Sequence, residues 1–210
     1  PVSPANPAYD PKIGFTPFDL AKARALLDAA GWKPGPDGIR QKAGMRLSLD
    51  FASSIGTPDN DALIELIRIW WKQAGVDFTV KRYPSPLLFG AFADGGIIYT
   101  GKFDVVLFQW GGDPIGDLSN LYACNQIPPA GQNDPRYCSK ATDAAMEHLR
   151  RLYDAKARQP YADFVQQQIA RDVPIIVLSI PDDIYVFNSD LTGFHPNQLA
   201  SFDDMMHVDI

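Results

Sequence analysis

The amino-acid sequence predicts an α/β fold, with a mixed and mostly parallel sheet flanked by helices. Three observations support this prediction. Helical apolar stripes alternate with short strand patterns, the patterns follow the order αβαβαβ-αα-ββ, and glycine or proline separates successive segments. Such an alternation is typical of strand–helix–strand units, whose strands pair in parallel.

The first half of the chain has the clearest element boundaries. Residues 16–31 begin with threonine and proline, a hydroxyl cap followed by the residue favoured at the first helical position, and they end with glycine. Residues 45–51 alternate apolar and polar side chains, as a half-buried strand does. Residues 57–75 repeat the cap chemistry and predict a second helix. A strand at 76–80 and a short helix around 85–93 follow.

The second half predicts buried strands and two helices. Residues 103–110 form an almost continuous apolar run, typical of a strand covered on both faces. Ser139 can cap a helix, and another helix covers roughly 159–171. The apolar runs 172–180 and 184–187 predict two more strands.

Composition excludes several classes of function. The 210 residues are 46% hydrophobic and 21% charged, which is ample material for a core. A net charge of −6, a pI near 4.9 and the lack of a Lys/Arg cluster exclude a nucleic-acid partner. No apolar run approaches the roughly 20 residues of a membrane-spanning helix. The proline-rich residues 1–15 have neither the basic nor the apolar region of a signal peptide.

Glycines and Pro114 follow the apolar run 103–110 and cannot continue a strand. An aspartate therefore lies just after the carboxyl end of the predicted strand. Ligands bind at this edge of open α/β sheets. Ser53 and Ser54 lie between a strand and a helix N-terminus, where polar groups can also receive a ligand. The predicted ligand-binding residues are Trp110, Gly111, Gly112, Asp113, Ser53 and Ser54. Core packing is the alternative for the tryptophan, and turn formation is the alternative for the aspartate and the serines.

The sequence contains no recognisable catalytic or metal-binding motif, neither a nucleophile elbow, nor a phosphate loop, nor a zinc-protease signature. His148, His195 and His207 are scattered along the chain. Asp113 and Asp117 could form the acid/base couple of a glycosidase, although an aspartate before an apolar run is more often a turn former or a helix cap. We therefore expect no catalytic residue, no metal ligand and no cofactor.

Cys124 and Cys138 flank a loop rich in proline, glycine and asparagine. Two thiols cannot form a zinc site alone, and these two are not in a Cys-x-x-Cys arrangement. From the residues themselves, a surface disulfide, two unrelated thiols and part of a mixed metal site all stay open.

Several segments, taken together, resemble one family of transport proteins. These segments are 21–32 (AKARALLDAAGW), 71–76 (WKQAGV), 110–113 (WGGD), 126–133 (QIPPAGQN) and 191–194 (LTGF). They resemble the family 5 extracellular solute-binding proteins, which serve peptide and nickel importers of the ATP-binding-cassette class.

The resemblance covers roughly residues 15–200 and implies a periplasmic binding protein-like (type II) lobe. It implies a lead-in linker at 1–15, a C-terminal ligand-binding lobe at 16–190, and a return segment at 191–210 toward a first lobe that is missing from this chain. The whole protein would be a monomer, either periplasmic or lipid-anchored outside the cell. It would close around a peptide or another small solute and deliver it to the transmembrane subunits of a permease, without enzymatic turnover.

The resemblance also implies roles for individual residues. In peptide-binding members the aspartate of Trp-x-x-Asp meets the ligand's α-ammonium group, and here that position is Asp113. Some members bridge cysteines in the corresponding loop, which implies a Cys124–Cys138 disulfide and an oxidising compartment.

Some dipeptide binders carry an arginine for the ligand carboxylate where this chain has Ser53 and Ser54, which argues against a strict dipeptide ligand. The same fold serves nickel, opines and oligosaccharides, and these stay alternative ligands. Two alternatives of another class are a hydrolase and a lobe that docks on a membrane partner as a sensor or chaperone.

Overall fold

The computed structural model describes residues 2–56, 58–111, 116–181, 184–195 and 205–209. The chain folds into two compact units. The sheet unit comprises Gly14–Trp110 and Cys124–Tyr137. The helical unit comprises Pro1–Ile13, Gly111–Ala123 and Cys138–Ile210. The predicted lobe of residues 16–190 therefore contains parts of both units.

The sheet unit is a parallel sheet with helices on both faces. In chain order its elements are α1 (Leu20–Ala29), β1 (Lys33–Pro34), β2 (Arg40–Lys42), β3 (Met45–Arg46), β4 (Ser48–Ser54), α2 (Pro58–Ala74), β5 (Asp77–Tyr83), α3 (Ser85–Leu88), α4 (Ile97–Thr100) and β6 (Val105–Val106). The parallel sheet has the strand order β5-β4-β6, and β1, β2 and β3 form a small antiparallel sheet. The predicted α/β class with a parallel sheet and flanking helices is confirmed.

The central strand β4 buries one row of side chains against α2. Phe51 packs with Phe78 of β5 and with Ile64 and Ile67 of α2 in one apolar cluster. The ring centroids of Phe51 and Phe78 are 4.9 Å apart. Burying a side chain of this size stabilises a fold by about 1.5–3 kcal/mol, so this cluster holds α2 on the sheet. We call this side of the sheet the α2 face.

The next residue of β4 points to the opposite side, because successive side chains of a strand alternate. Ala52 packs there with Leu88 of α3 and with Ile97 and Ile98 of α4. We call this side the α3/α4 face. The two faces therefore have separate apolar clusters within the same unit.

A buried arginine joins the ends of α1 and α2. The guanidinium of Arg40 donates hydrogen bonds to the carbonyl oxygens of Trp32 (2.7 Å) and Ala74 (2.8 Å) and to the carboxylate of Asp28 (2.9 Å). The hydrogen bond from Arg40 holds the pKa of Asp28 below its ordinary value. Charge-assisted bonds of this kind are stronger than neutral ones, and they satisfy carbonyls that the helix ends leave open.

The helical unit contains α5 (Ser119–Tyr122), α6 (Lys140–Arg151) and α7 (Ala155–Asp172). The N-terminal segment, predicted as an extended lead-in, packs on α7. Asp10 is buried, and its carboxylate accepts a hydrogen bond from the side chain of Gln167 at 2.8 Å. That bond and one from the backbone N–H of Lys12 lower the pKa of Asp10. Gln166 donates to the carbonyl oxygen of Ala8 at 2.7 Å, so long-range hydrogen bonds order the segment.

Local sequence signals placed most helix ends correctly. Gly31 and Gly75 follow α1 and α2 with positive φ angles of 87° and 86°, as glycine at a helix C-terminus does. Ser139 caps α6, accepting a hydrogen bond from the backbone N–H of Thr142. The predicted start of α1 at residue 16 is wrong, because the cap is Asp19, whose carboxylate accepts from the N–H of Lys22.

The predicted strands of the second half are the main error. Only Val105–Val106 of the run 103–110 pairs in the sheet. No strand occurs in 173–180 or 184–187, which belong to the two predicted C-terminal strands, and Val186 is 93% exposed. An apolar run becomes a strand only where another strand pairs with it, and a single sequence does not show that partner. Within the described ranges, no helix is long and apolar enough to cross a membrane.

Candidate functional site

Three of the predicted site residues lie near the carboxyl edge of the parallel sheet. Ser53 and Ser54 end β4, and Trp110 follows β6 by four residues. Gly112 and Asp113, also predicted to bind ligand, lie outside the described residues. Gly111 is exposed, and a side chain there would meet no described atom within 4 Å.

The two predicted serines lie on different sides of the sheet. Ser53 shares the side of Phe51, the α2 face, because both are odd positions of β4. It is fully buried, and its hydroxyl has no hydrogen-bond partner among the described residues. Ser54 lies on the α3/α4 face with Ala52 and is half-buried. The structure thus encloses Ser53 on the α2 face and leaves Ser54 half-buried on the α3/α4 face.

Aromatic side chains line the α3/α4 face at the same edge. Phe89, Phe108 and Trp110 form a continuous series of edge-to-face contacts, with centroid distances of 5.8 Å and 5.9 Å. Phe108 and Tyr83 pack against the apolar cluster of this face. Trp110 remains 44% exposed and Phe89 46% exposed. Trp110 therefore packs against Phe108 on one side and keeps nearly half of its surface exposed.

Glycines position the loop that carries Phe89. A side chain on Gly96 would collide with the carbonyl oxygen of Gly90, so the two segments approach as closely as only glycine permits. Leu88, the residue before Phe89, is fully buried in the cluster of the α3/α4 face. The exposed ring of Phe89 is thus attached to a well-packed base.

The basic residues near the end of β5 are engaged by carboxylates. Arg82 contacts Asp61 of α2 at 2.8 Å, and Lys81 contacts Asp50 of β4 at 2.6 Å. The hydrogen bond that Lys81 donates to Asp50 raises the pKa of Lys81. Arg82 therefore lies on the α2 face, whereas Lys81 and Asp50 share the α3/α4 face with Ala52, and each basic side chain is paired with a carboxylate.

Sequence reasoning missed a buried carboxylate in the loop before Tyr137. Asp134 is only 7% exposed, and its Oδ1 has no hydrogen-bond partner among the described residues. Burial raises its pKa to about 6, although the positive charge of Arg136 acts in the opposite direction. The neighbouring Asn133 is also buried and bonds the backbone of Tyr137 in both directions, at 2.6 Å and 3.0 Å. The sequence motif marks this loop but gives no sign of burial.

Asp117 has the structural role that its position before an apolar run suggests. Its Oδ1 accepts hydrogen bonds from the backbone N–H and the hydroxyl of Ser119, at 2.9 Å and 2.5 Å, at the start of α5. Its other oxygen is 3.8 Å from Arg150. These contacts, two residues apart in the chain, support the turn-forming interpretation over the acid/base couple with Asp113.

No group of three or more metal-ligating side chains occurs in the parts of the chain that the structure describes. His148 is exposed on α6, as predicted, and its ring stacks on Tyr161 with a centroid distance of 5.1 Å. Cys124 and Cys138 are joined in a disulfide. The bridge that the resemblance implied is confirmed, and neither thiol is available as a metal ligand.

Comparison with solved structures shows the same fold in binding proteins. The chain aligns with the oligopeptide-binding protein AppA from Bacillus subtilis in complex with a nonapeptide, with a TM-score of 0.85 and 20% identity over 98% of this chain and 40% of that one. It also aligns with NikZ from Campylobacter jejuni in complex with Ni(L-His), with a TM-score of 0.75 and 22% identity over 96% and 41% of the two chains.

Sequence comparison identifies the family. The chain is 29% identical over 199 residues to the dipeptide-binding protein of Pseudomonas aeruginosa, a match that covers 92% of this chain and 34% of that protein. The chain thus spans about a third of the length of this curated relative. Residues 1–130 match the family described as bacterial extracellular solute-binding proteins, family 5, middle region. The chain therefore belongs to the family 5 bacterial extracellular solute-binding proteins.

Proposed function

We propose that the protein containing this chain captures peptides and delivers them to the permease of an ATP-binding-cassette importer. The observation that carries the proposal is the half-exposed Trp110 at the carboxyl edge of a parallel sheet, in the sequence WGGD. Ligands bind at this edge of α/β sheets. The dipeptide-binding relative and the nonapeptide complex of AppA favour a peptide over other solutes.

Asp113 is the proposed anchor for the peptide's α-ammonium group, because a carboxylate and an ammonium group form a strong charge-assisted hydrogen bond. The backbone of Trp110, Gly111 and Gly112 reads the peptide main chain, which every peptide shares. Ser54 adds a hydroxyl on the α3/α4 face. Ser53 is the weaker proposal, because its hydroxyl is enclosed on the α2 face.

The peptide is enclosed between this lobe and a first lobe of the same protein, which acts as a monomer. Closure of two lobes around a solute removes water from the site and strengthens its polar contacts. The protein acts outside the cytoplasm, either in the periplasm or lipid-anchored at the cell surface. The Cys124–Cys138 disulfide supports this location, because disulfides persist in oxidising compartments.

The test is the substitution Asp113→Asn in the natural full-length protein. It keeps the size of the side chain and removes its charge, so a peptide with a free amino terminus should bind about 10- to 100-fold more weakly. An N-acetylated peptide of the same sequence should lose less than about twofold, because it has no ammonium group. Isothermal titration calorimetry measures both affinities. Asp94→Asn, at an exposed aspartate of the sheet unit, is the matched control.

Three outcomes would contradict the proposal. Equal weakening of the free and acetylated peptides would make Asp113 a turn residue. Cleavage of the peptide during incubation, abolished by Asp113→Asn, would indicate a hydrolase. Tighter binding of a nickel–histidine complex than of any peptide in a mixed hydrolysate would indicate metal uptake.

A further inference from the structure

An exposed aromatic series lies on the α3/α4 face near the carboxyl edge of the sheet. Phe89, Phe108 and Trp110 contact one another edge-to-face, with interplanar angles of 73° and 79°. The charges near this edge are paired on both faces, Arg82 with Asp61 on the α2 face and Lys81 with Asp50 on the α3/α4 face.

Two rings of this series stay nearly half exposed, whereas Phe108 between them is anchored in the apolar cluster beneath. Exposed aromatic rings supported from below offer a rigid apolar surface with little loss of side-chain freedom on binding. Trp110, at one end of this aromatic series, also belongs to the proposed peptide site. A bound peptide therefore places its own side chains beside these rings.

We propose that Phe89, Phe108 and Trp110 form a subsite for an aromatic or large aliphatic side chain of the bound peptide. This inference rests on the proposed peptide-binding function and specifies its substrate class. The anchor on the main chain would accept many peptides, and the aromatic subsite would select among them. Edge-to-face packing favours a further aromatic ring, because each ring edge is attracted to the face of its neighbour.

The test uses the natural full-length protein and four tripeptides, which are trialanine and its three variants with a single phenylalanine at the first, second or third position. At least one phenylalanine peptide should bind about tenfold more tightly than trialanine, as burial of a large apolar side chain on one surface predicts. Phe89→Ala should reduce that preference to less than about threefold. The same variant should leave the affinity for trialanine within about twofold, which also shows that it folds.

Phe18→Ala is the matched control. Phe18 is exposed, and its ring centroid is 6.1 Å from that of Trp70 in α2. Its removal therefore also breaks an exposed aromatic pair, but one that includes α2. This variant should keep the full preference for phenylalanine. Equal changes in the two variants would show a general effect of surface aromatics and would overturn the assignment.

The outcomes separate this inference from the function on which it rests. Equal binding of all four tripeptides, or a preference that survives Phe89→Ala, would overturn the aromatic subsite and leave peptide binding intact. Failure to bind any tripeptide or any component of a peptide hydrolysate would overturn both.

Discussion

The buried carboxylate of Asp134 provides a quantitative prediction, because its cost to stability depends on pH. Asp134 is 7% exposed, and its Oδ1 has no hydrogen-bond partner among the described residues. The substitution Asp134→Asn keeps the shape of the side chain and removes the charge. We expect the variant to be more stable than the wild type at pH 7.5 and equally stable near pH 4.5.

The sign follows from the direction of the pKa shift. Burial raises the pKa of Asp134 from an ordinary 3.8 to about 6, so the folded protein holds this proton more tightly than the unfolded chain does. The group's contribution to stability is fully present below pH 3.8 and is lost as the pH rises through about 6. Raising the pKa of this carboxyl group from 3.8 to about 6 lowers the stability of the folded protein at pH 7.5 by at most about 3 kcal/mol. The new amide also needs partners, so we expect a gain of about 1–2 kcal/mol at pH 7.5.

Urea denaturation followed by tryptophan fluorescence, at pH 4.5, 6 and 7.5, measures the difference between variant and wild type. That difference isolates Asp134 from the other titrating groups. Carbon-13 NMR of the aspartate carboxyl groups measures the pKa directly. Asp94→Asn, the same substitution at an exposed aspartate, is the control. A stability difference that is the same at all three pH values, or a less stable Asp134→Asn at pH 7.5, would refute the reasoning.

Two further predictions concern buried polar groups of the sheet unit. Arg40→Met should lower the free energy of unfolding by about 2–4 kcal/mol in urea denaturation, because the buried guanidinium donates hydrogen bonds to carbonyl oxygens at the ends of α1 and α2. A loss below about 0.5 kcal/mol would show that water replaces the hydrogen bonds of the guanidinium. Ser53→Ala should leave stability unchanged or raise it by up to about 1 kcal/mol, because it removes a buried hydroxyl without a described partner. The same variant tests the weaker proposal for Ser53: a tenfold loss of peptide affinity in calorimetry would show that Ser53 contacts the ligand, and wild-type affinity would remove it from the site.

Local chemistry made much of the fold predictable. Glycines at the ends of α1 and α2 and the serine cap of α6 are signals that a helix end carries within a few residues. Strands were less predictable, because their existence depends on pairing. The run 103–110 was apolar enough for eight residues of strand, yet only two pair with β4.

The candidate site, like the fold, was only partly predictable from the sequence. The sequence WGGD marked the end of the strand pattern and led to Trp110, which the structure places half-exposed at the edge of the sheet. It could not show that Ser53 and Ser54 point to opposite faces, because the strand was predicted to end at residue 51, whereas β4 continues to Ser54. Phe89 was not predicted, because it contacts Phe108, which lies 19 positions further along the chain.

By itself, the sequence determined the fold class, the family, the principal helices and the position of the central motif, because each depends on residues that are neighbours along the chain. Only the tertiary structure decided which side chains are buried, which face of the sheet is aromatic, and that Asp134 is a carboxylate enclosed without a described partner. These properties arise where distant segments meet, and desolvation acts on a group only when such segments surround it.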